Sequence, residues 1–252
     1  LRSRLVPLFA LALVSAAVPA ASTSNLEREK SWADQIVDTL IAGEAVWLQA
    51  EGVKFLGLYT APAKPSKKGV ILLHGRGVHP AWGFIDNLRI DLADGGWHTL
   101  ALQLPILDTD TKLSEYGKTF PEAFARIDSG IRSLREHGVE QIVIVGHSSG
   151  ATTATAYAAE RPASAIAGIV AIGLTTEPGG GPLMQPVQTL ARVKKPILDI
   201  YGAEDLPIVL QTLKARQAAA RQANNGRYTQ ERIAGANHFF TDRYEPLRTR
   251  VS

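Results

Sequence analysis

The chain has 252 residues, a length that suits one large domain better than two small ones, and 45% of them are hydrophobic, enough to fill a sizeable core. The net charge is +3, and Arg2 and Arg4 of the N-terminal segment supply two of those charges, so the remainder is close to neutral and nucleic acid is not an expected partner. Cysteine is absent, which excludes a disulfide framework, a cysteine-based metal site and a lipid-bearing cysteine, and is compatible with the bacterial periplasm.

In chain order, residues 1–21 have the form of a secretory signal. Arg2 and Arg4 make the basic start, residues 5–14 the apolar run, and Val18-Pro19-Ala20 or a neighbouring small-residue site the point of cleavage. The run is short for a membrane span and is interrupted by Pro7. The mature chain is therefore expected in the periplasm or secreted, without stable membrane insertion after cleavage. Residues 22–43 read as an N-terminal extension, polar and helix-compatible over 24–38, and residues 44–252 as one domain. Residues 44–60 alternate as two antiparallel strands turning at Glu51-Gly52. A short buried strand follows at 70–73, then an amphipathic helix at 84–94 with Ile85, Leu88 and Leu92 on one face. Further strands are expected at 99–104, 141–145, 166–172, 197–201 and 228–233, and further helices at 120–136, from 151, at 206–222 and at 240–250. Two long loops interrupt this order. Residues 105–119 are polar and expected to be mobile, and residues 175–196 have room only for a short helix near 187–193 beside Pro178-Gly179-Gly180-Gly181-Pro182. Strands alternating with helices predict an α/β fold, a mostly parallel twisted sheet covered on both faces, here with a minimal cap and an open site.

The pentapeptide Gly146-His147-Ser148-Ser149-Gly150 directly follows an apolar strand and precedes a small-residue helix. A Gly-x-Ser-x-Gly run in that setting is a nucleophile elbow, a tight strand-to-helix turn that lifts the serine hydroxyl clear of the sheet. A serine needs a base, and Gly235-Ala236-Asn237-His238, after the last strand, offers His238. The base needs an orienting acid. Gly202-Ala203-Glu204-Asp205 follows a strand end and favours Asp205, with Glu177, after the preceding strand, as the alternative. Two backbone donors should face the developing oxyanion: the N–H of Ser149 and that of Arg76 in His74-Gly75-Arg76-Gly77, with Gly77 as the fallback. His74 reads as a loop brace. His79, Trp82, Leu174, Leu183, Met184, Leu206 and Phe239 are the candidate substrate-binding residues. The histidines offer no metal-ligand spacing, and neither a Gly-x-Gly-x-x-Gly run nor a P-loop occurs, so no metal and no cofactor is expected.

With His74-Gly75-Arg76-Gly77, the elbow, Gly202-Ala203-Glu204-Asp205 and His238 in this order, the chain from about Glu44 onward resembles an α/β-hydrolase. It is also similar to a family of poorly characterised bacterial envelope proteins with this fold, through Leu72-Leu73-His74-Gly75, His79-Pro80-Ala81-Trp82, Gly96-Trp97-His98-Thr99-Leu100 and Leu102-Gln103-Leu104-Pro105. The resemblance implies a secreted serine hydrolase that cleaves small-molecule carboxylic esters, short acyl chains favoured. The reading from a different class is a non-catalytic envelope binding or assembly protein that keeps the fold. The natural substrate and the oligomeric state stay open.

Overall fold

The computed structural model describes residues 22–252; the signal-like segment lies outside the described residues. The elements run α1 (Leu26–Thr39), β1 (Glu44–Ala50), β2 (Val53–Thr60), β3 (Lys68–Leu73), α2 (Phe84–Asp94), β4 (His98–Leu102), a 3₁₀ helix (Leu113–Thr119), α3 (Phe120–Glu136), β5 (Gln141–His147), α4 (Ser149–Glu160) and β6 (Ile166–Ile172). Two 3₁₀ turns (Pro178–Gly180 and Pro182–Met184) lead to α5 (Pro186–Leu190), β7 (Ile197–Glu204), α6 (Pro207–Leu210), α7 (Leu213–Gln222), β8 (Tyr228–Asn237) and α8 (Tyr244–Val251). The eight strands form one sheet in the order β1-β2-β4-β3-β5-β6-β7-β8. β1–β2 and β2–β4 are antiparallel, and every other pair is parallel. This is an α/β-hydrolase fold with a mostly parallel sheet, as the alternation of strand and helix signals implies.

Side chains on a strand alternate faces, and the central strands use both. On β3, Ile71 and Leu73 enter the core under α3 and α4, while Val70 and Leu72 enter the one shared with α1, α2 and α8. Both faces are therefore buried, and the strands read as continuous apolar runs. Removing the side chain of Leu72 or Ile71, each fully buried, costs about 2–5 kcal/mol through lost transfer energy and the cavity left behind. Among the described residues no helix is long and apolar enough to cross a membrane.

Several elements differ from the sequence expectation, each for a local reason. The N-terminal extension packs onto the domain. Asn25 caps α1 by accepting the Arg28 N–H at 2.8 Å, Ala33 and Ile36 are buried, and Glu29 pairs with Arg126 of α3 at 3.0 Å. Residues 105–119 are not a loose polar loop, because Ile106 and Tyr116 anchor them in the interior and their second half winds into the 3₁₀ helix. The single helix expected at 206–222 breaks into α6 and α7. Arg216 then donates to the freed Val209 carbonyl at 3.0 Å and to the Thr212 hydroxyl at 2.6 Å. The last helix starts at Tyr244 instead of residue 240, since Phe240 (φ 53°) and Asp242 (φ 54°) are left-handed and cannot belong to a right-handed helix.

Candidate active site

All the residues with chemistry stand at the C-terminal edge of the parallel strands, where an open α/β sheet presents its ligand crevice. The turn from β5 to α4 places Ser148 at φ 56° and ψ −121°, a region costly for a side chain bearing a Cβ and tolerated where the surroundings over-determine it. The surroundings here are backbone. A Cβ on Gly146 would lie 2.5 Å from the Gly150 carbonyl oxygen, and one on Gly150 would strike the carbonyls of Leu73 and His74. The Ser148 N–H is tied to the Ile172 carbonyl at 2.9 Å. The hydroxyl is left half-exposed above the sheet.

His238 follows β8 and Asp205 follows β7. Asp205 Oδ1 lies 2.6 Å from His238 Nδ1, and His238 Nε2 lies 3.0 Å from Ser148 Oγ. Asp205 also accepts the N–H of Leu206 at 2.8 Å and that of Gly202 at 3.2 Å. Burial by itself raises the Asp205 carboxyl, but the bond and charge of His238 and the two N–H groups outweigh it and hold the group below the usual carboxylate range. An ionised Asp205 can only accept, so Nδ1 of His238 carries the proton and Nε2 presents a lone pair to the serine hydroxyl. An arrangement of this kind can take a proton from the hydroxyl and hold the imidazolium that results. Glu177, the alternative acid, is elsewhere: it lines a small pocket on the Ser149 side and makes no contact with His238. Glu204 is exposed, and Asp199 inside β7 is consumed by Arg216 at 2.9 Å and the Tyr228 hydroxyl at 2.5 Å.

The N–H groups of Ser149 and Arg76 donate to no backbone carbonyl among the described residues and stay available. Gly75 brings the two turns together, since a Cβ on it would lie 3.5 Å from Ser148 Cβ. His74 fixes the peptide that carries the Arg76 N–H. Its Nε2 accepts the Leu104 N–H at 2.9 Å, so Nδ1 bears the proton and donates to the Gly75 carbonyl at 2.7 Å. In a trans peptide that carbonyl points opposite to the Arg76 N–H, so the bond aims the donor. Burial lowers His74 to about 3, and it stays neutral.

The expected substrate-binding residues divide. Met184 is buried and lines a cavity of about 20 Å³ together with Gly75, Arg76, Ser149, Thr152, Thr175 and Glu177. Leu174 is not at the surface of this pocket. It is fully buried in the core, and only its carbonyl is used, by Arg216 at 3.2 Å. Leu183 packs against the core beside Met184, and Leu206 is exposed next to Asp205. Phe239, 53% exposed, stands edge-on to Trp82 (5.7 Å between ring centroids) and to His238 (5.3 Å), making an aromatic rim on the side of the histidine. His79 turns away and packs its ring edge against Trp32 of α1 at 5.2 Å.

Sequence reasoning missed three features. The pocket has a second wall, Leu104 from the end of the strand expected at 99–104, Leu113 and Tyr116 from the segment expected to be mobile, and Phe120 from α3. The elbow residue His147 donates its Nε2–H to the His238 carbonyl at 3.0 Å. Burial, then the nearby His238, lowers it to about 3, so it stays neutral. Gly173, with φ 57°, leaves room for the His238 ring, which a Cβ there would approach to 3.0 Å. A larger groove of about 610 Å³ between α1 and β1–β2 contains none of these residues.

The chain was compared with known proteins. Residues 7–123 and 108–251 match the model of one family, described as protein of unknown function (DUF3530). No curated protein matches. The fold is similar to that of Est1E from Butyrivibrio proteoclasticus (TM-score 0.63, 17% identity, 82% of this chain and 95% of that one). It is also similar to dienelactone hydrolase from Anabaena variabilis (TM-score 0.67, 23% identity, 82% and 93%) and to the esterase Pf2001 from Pyrococcus furiosus (TM-score 0.65, 18% identity, 86% and 92%). At these identities the likeness carries the fold and nothing finer.

Proposed function

The chain belongs to the family described as protein of unknown function (DUF3530), and from that premise we propose that it is a serine hydrolase acting on small carboxylic esters with short acyl chains. The observation that carries the reading is the unbroken line of contacts from Asp205 through His238 to Ser148, at 2.6 and 3.0 Å, ending on a serine in a strained turn. A fold kept for binding alone has no use for that strain.

In this mechanism Ser148 Oγ attacks the ester carbonyl while its proton passes to His238 Nε2. The carbonyl π electrons move onto oxygen, and the resulting oxyanion accepts the N–H groups of Ser149 and Arg76. Collapse expels the alcohol, which takes the proton from His238, and leaves an acyl group on Ser148. A water, deprotonated by the same nitrogen, then releases the acid and restores the serine. Asp205 stays ionised throughout and stabilises the imidazolium.

The short acyl preference is supported by the pocket beside Ser149. Its 20 Å³ of free space is about one to two water-sized spheres. Thr152 and Thr119 spend their hydroxyls on the carbonyls of Thr175 and Tyr116 at 2.8 Å, and Leu104, Leu113, Phe120 and Met184 make the rest of the wall largely apolar. Each CH₂ buried against such a wall contributes about 0.8 kcal/mol, and little room exists beyond two or three carbons. An esterase and a dienelactone hydrolase among the structural neighbours are in keeping with an ester carbonyl.

Labelling of the purified protein with a fluorophosphonate probe tests the chemistry. The wild-type chain takes the label and turns over p-nitrophenyl acetate, and Ser148→Ala abolishes both, with a loss in kcat of several orders of magnitude. A folded protein that neither labels nor turns over any ester supports a non-catalytic envelope role instead. The reading includes export, supported by the basic start, apolar run and small residues of the first 21 positions. A mature N-terminus near Ala21 or Ser22, read by sequencing, bears on it directly, and an uncleaved cytoplasmic product overturns it.

A further inference from the structure

We propose that Arg28, in the first turn of α1 and far from Ser148 in sequence, is a positioning residue for this reaction: it clamps the turn that carries the Arg76 N–H to the wall of the acyl pocket. The inference rests on the Ser148 reading and goes beyond it.

One guanidinium nitrogen of Arg28 donates to the Leu107 carbonyl at 3.0 Å and the other to the Gly77 carbonyl at 3.2 Å. These acceptors belong to the two segments that flank the pocket. Gly77 is the residue after Arg76, in the left-handed region at φ 68°, and only its carbonyl is held. Leu107 donates its own N–H to the Tyr116 hydroxyl at 3.2 Å, and Tyr116 lines the pocket. Neither segment belongs to the sheet, so the sheet does not fix their spacing. Beyond the Leu104–His74 bond at their roots, a planar guanidinium with its donors in a fixed fork ties them together, and hydrogen bonds from a charged donor are about twice as strong as neutral ones.

Arg28 is itself held on every side. Its guanidinium lies 4.5 Å from the centre of the Trp32 ring, four residues on along α1. Ahead of it, the Asn25 N–H donates to the Ile106 carbonyl at 2.7 Å, and the Ile106 N–H to the Ser24 hydroxyl at 2.8 Å. Behind it, Glu29 is anchored on Arg126, and Arg126 donates to the Gln103 carbonyl at 2.9 Å. Gln103 and Leu104 in turn reach the His74 ring at 3.2 and 2.9 Å. The N-terminal segment is thus a strap whose one charged fork reaches both sides of the pocket, and misplacing an oxyanion donor by a fraction of an ångström is enough to lower kcat.

The experiment compares full-length wild type with R28M, R28K and I36A. Ile36 is buried on α1 and its side chain can make no hydrogen bond to either segment, so I36A loosens the helix without removing the fork. Steady-state kinetics with p-nitrophenyl acetate are measured well below every melting temperature, together with the affinity for a boronic acid that becomes tetrahedral on Ser148. R28M should lose about ten- to a hundredfold in kcat and in boronate affinity with KM changed less than threefold. R28K should recover part of both, and I36A should lose melting temperature but keep kcat. An R28M kcat and boronate affinity within twofold of wild type overturns the proposal, as does an equal kcat loss in I36A. Wild type that neither turns over ester nor takes the fluorophosphonate label removes the Ser148 reading and this inference with it, whereas active wild type with unaffected R28M removes only the inference.

Discussion

At the scale of single residues, the contacts around His238 decide between two carboxylates that the sequence leaves in competition. Asp205 meets Nδ1 at 2.6 Å and is held ionised by the bond and charge of His238 and by two backbone N–H groups, whereas Glu177 lies along the pocket wall. Asp205→Asn keeps the shape but offers an amide that favours the wrong imidazole tautomer, and kcat should fall by on the order of 10⁴-fold. Glu177→Gln should leave kcat within about threefold and change KM instead. Steady-state kinetics of both variants check this, and the opposite ranking would move the acid to Glu177. His147 shows how a neutral brace differs from a second base. It is buried, at about 3, and its N–H is spent on the His238 carbonyl.

At the scale of elements, the pocket is made where two connections meet. The 3₁₀ helix Leu113–Thr119 packs against the turn Pro178–Gly180 so closely that a Cβ on Gly117 would strike the Gly180 carbonyl. Met184 seals the floor, with its sulfur within 3.5 Å of where that Cβ would stand. Met184→Ala removes that plug. The best substrate in a profile of kcat/KM against acyl length should then move from acetyl or propionyl to chains about two or three carbons longer, each added CH₂ gaining up to about 0.8 kcal/mol. An unchanged profile would place the acyl group on the aromatic rim of Trp82 and Phe239. Removing a buried methionine also lowers stability by about 2–5 kcal/mol, so the profile is read at a temperature where the variant is folded.

At the scale of the whole molecule, buried titratable groups make stability depend on pH in a stated direction. Burial lowers His74 and His147 from 6.5 to about 3. Between these values the unfolded chain binds protons that the folded one refuses, so their contribution is complete above 6.5 and is lost as pH falls. Asp205 acts in the same direction at lower pH: its stabilisation is present above 3.8 and is lost as pH falls through its depressed folded value. Glu29 opposes them. Burial raises its carboxyl above 4.5 against the pull of Arg126, so its contribution declines as pH rises through that range. Burial lowers His79 and His98 as well, so four histidines act against one glutamate, and the free energy of urea unfolding should fall steadily from about pH 7 to pH 5. His147→Gln retains a donor for the His238 carbonyl but does not titrate, and its slope over that range should be visibly shallower. Equal slopes would mean that His147 is charged in the folded protein.

The amino-acid sequence by itself determined whatever depends on neighbours along the chain. The alternation of apolar residues named the strands, Gly146 and Gly150 named the elbow around Ser148, and the order of Ser148, Asp205 and His238 followed from which strand each one ends. Only the tertiary structure decided what depends on approach across the fold. Leu174 looks like a pocket residue in sequence and is core, fully buried with its carbonyl taken by Arg216 of α7. His79 looks like a pocket residue and faces Trp32, because the N-terminal extension docks against the domain as α1. The segment 105–119 looks polar enough to float, yet the buried Ile106 and Tyr116 and the fork of Arg28 hold it in place. Periodicity and motif spacing encode local geometry, whereas burial, ion pairing and pocket shape arise from contacts between residues that can lie more than a hundred positions apart, and no pattern along one chain records which of those contacts form.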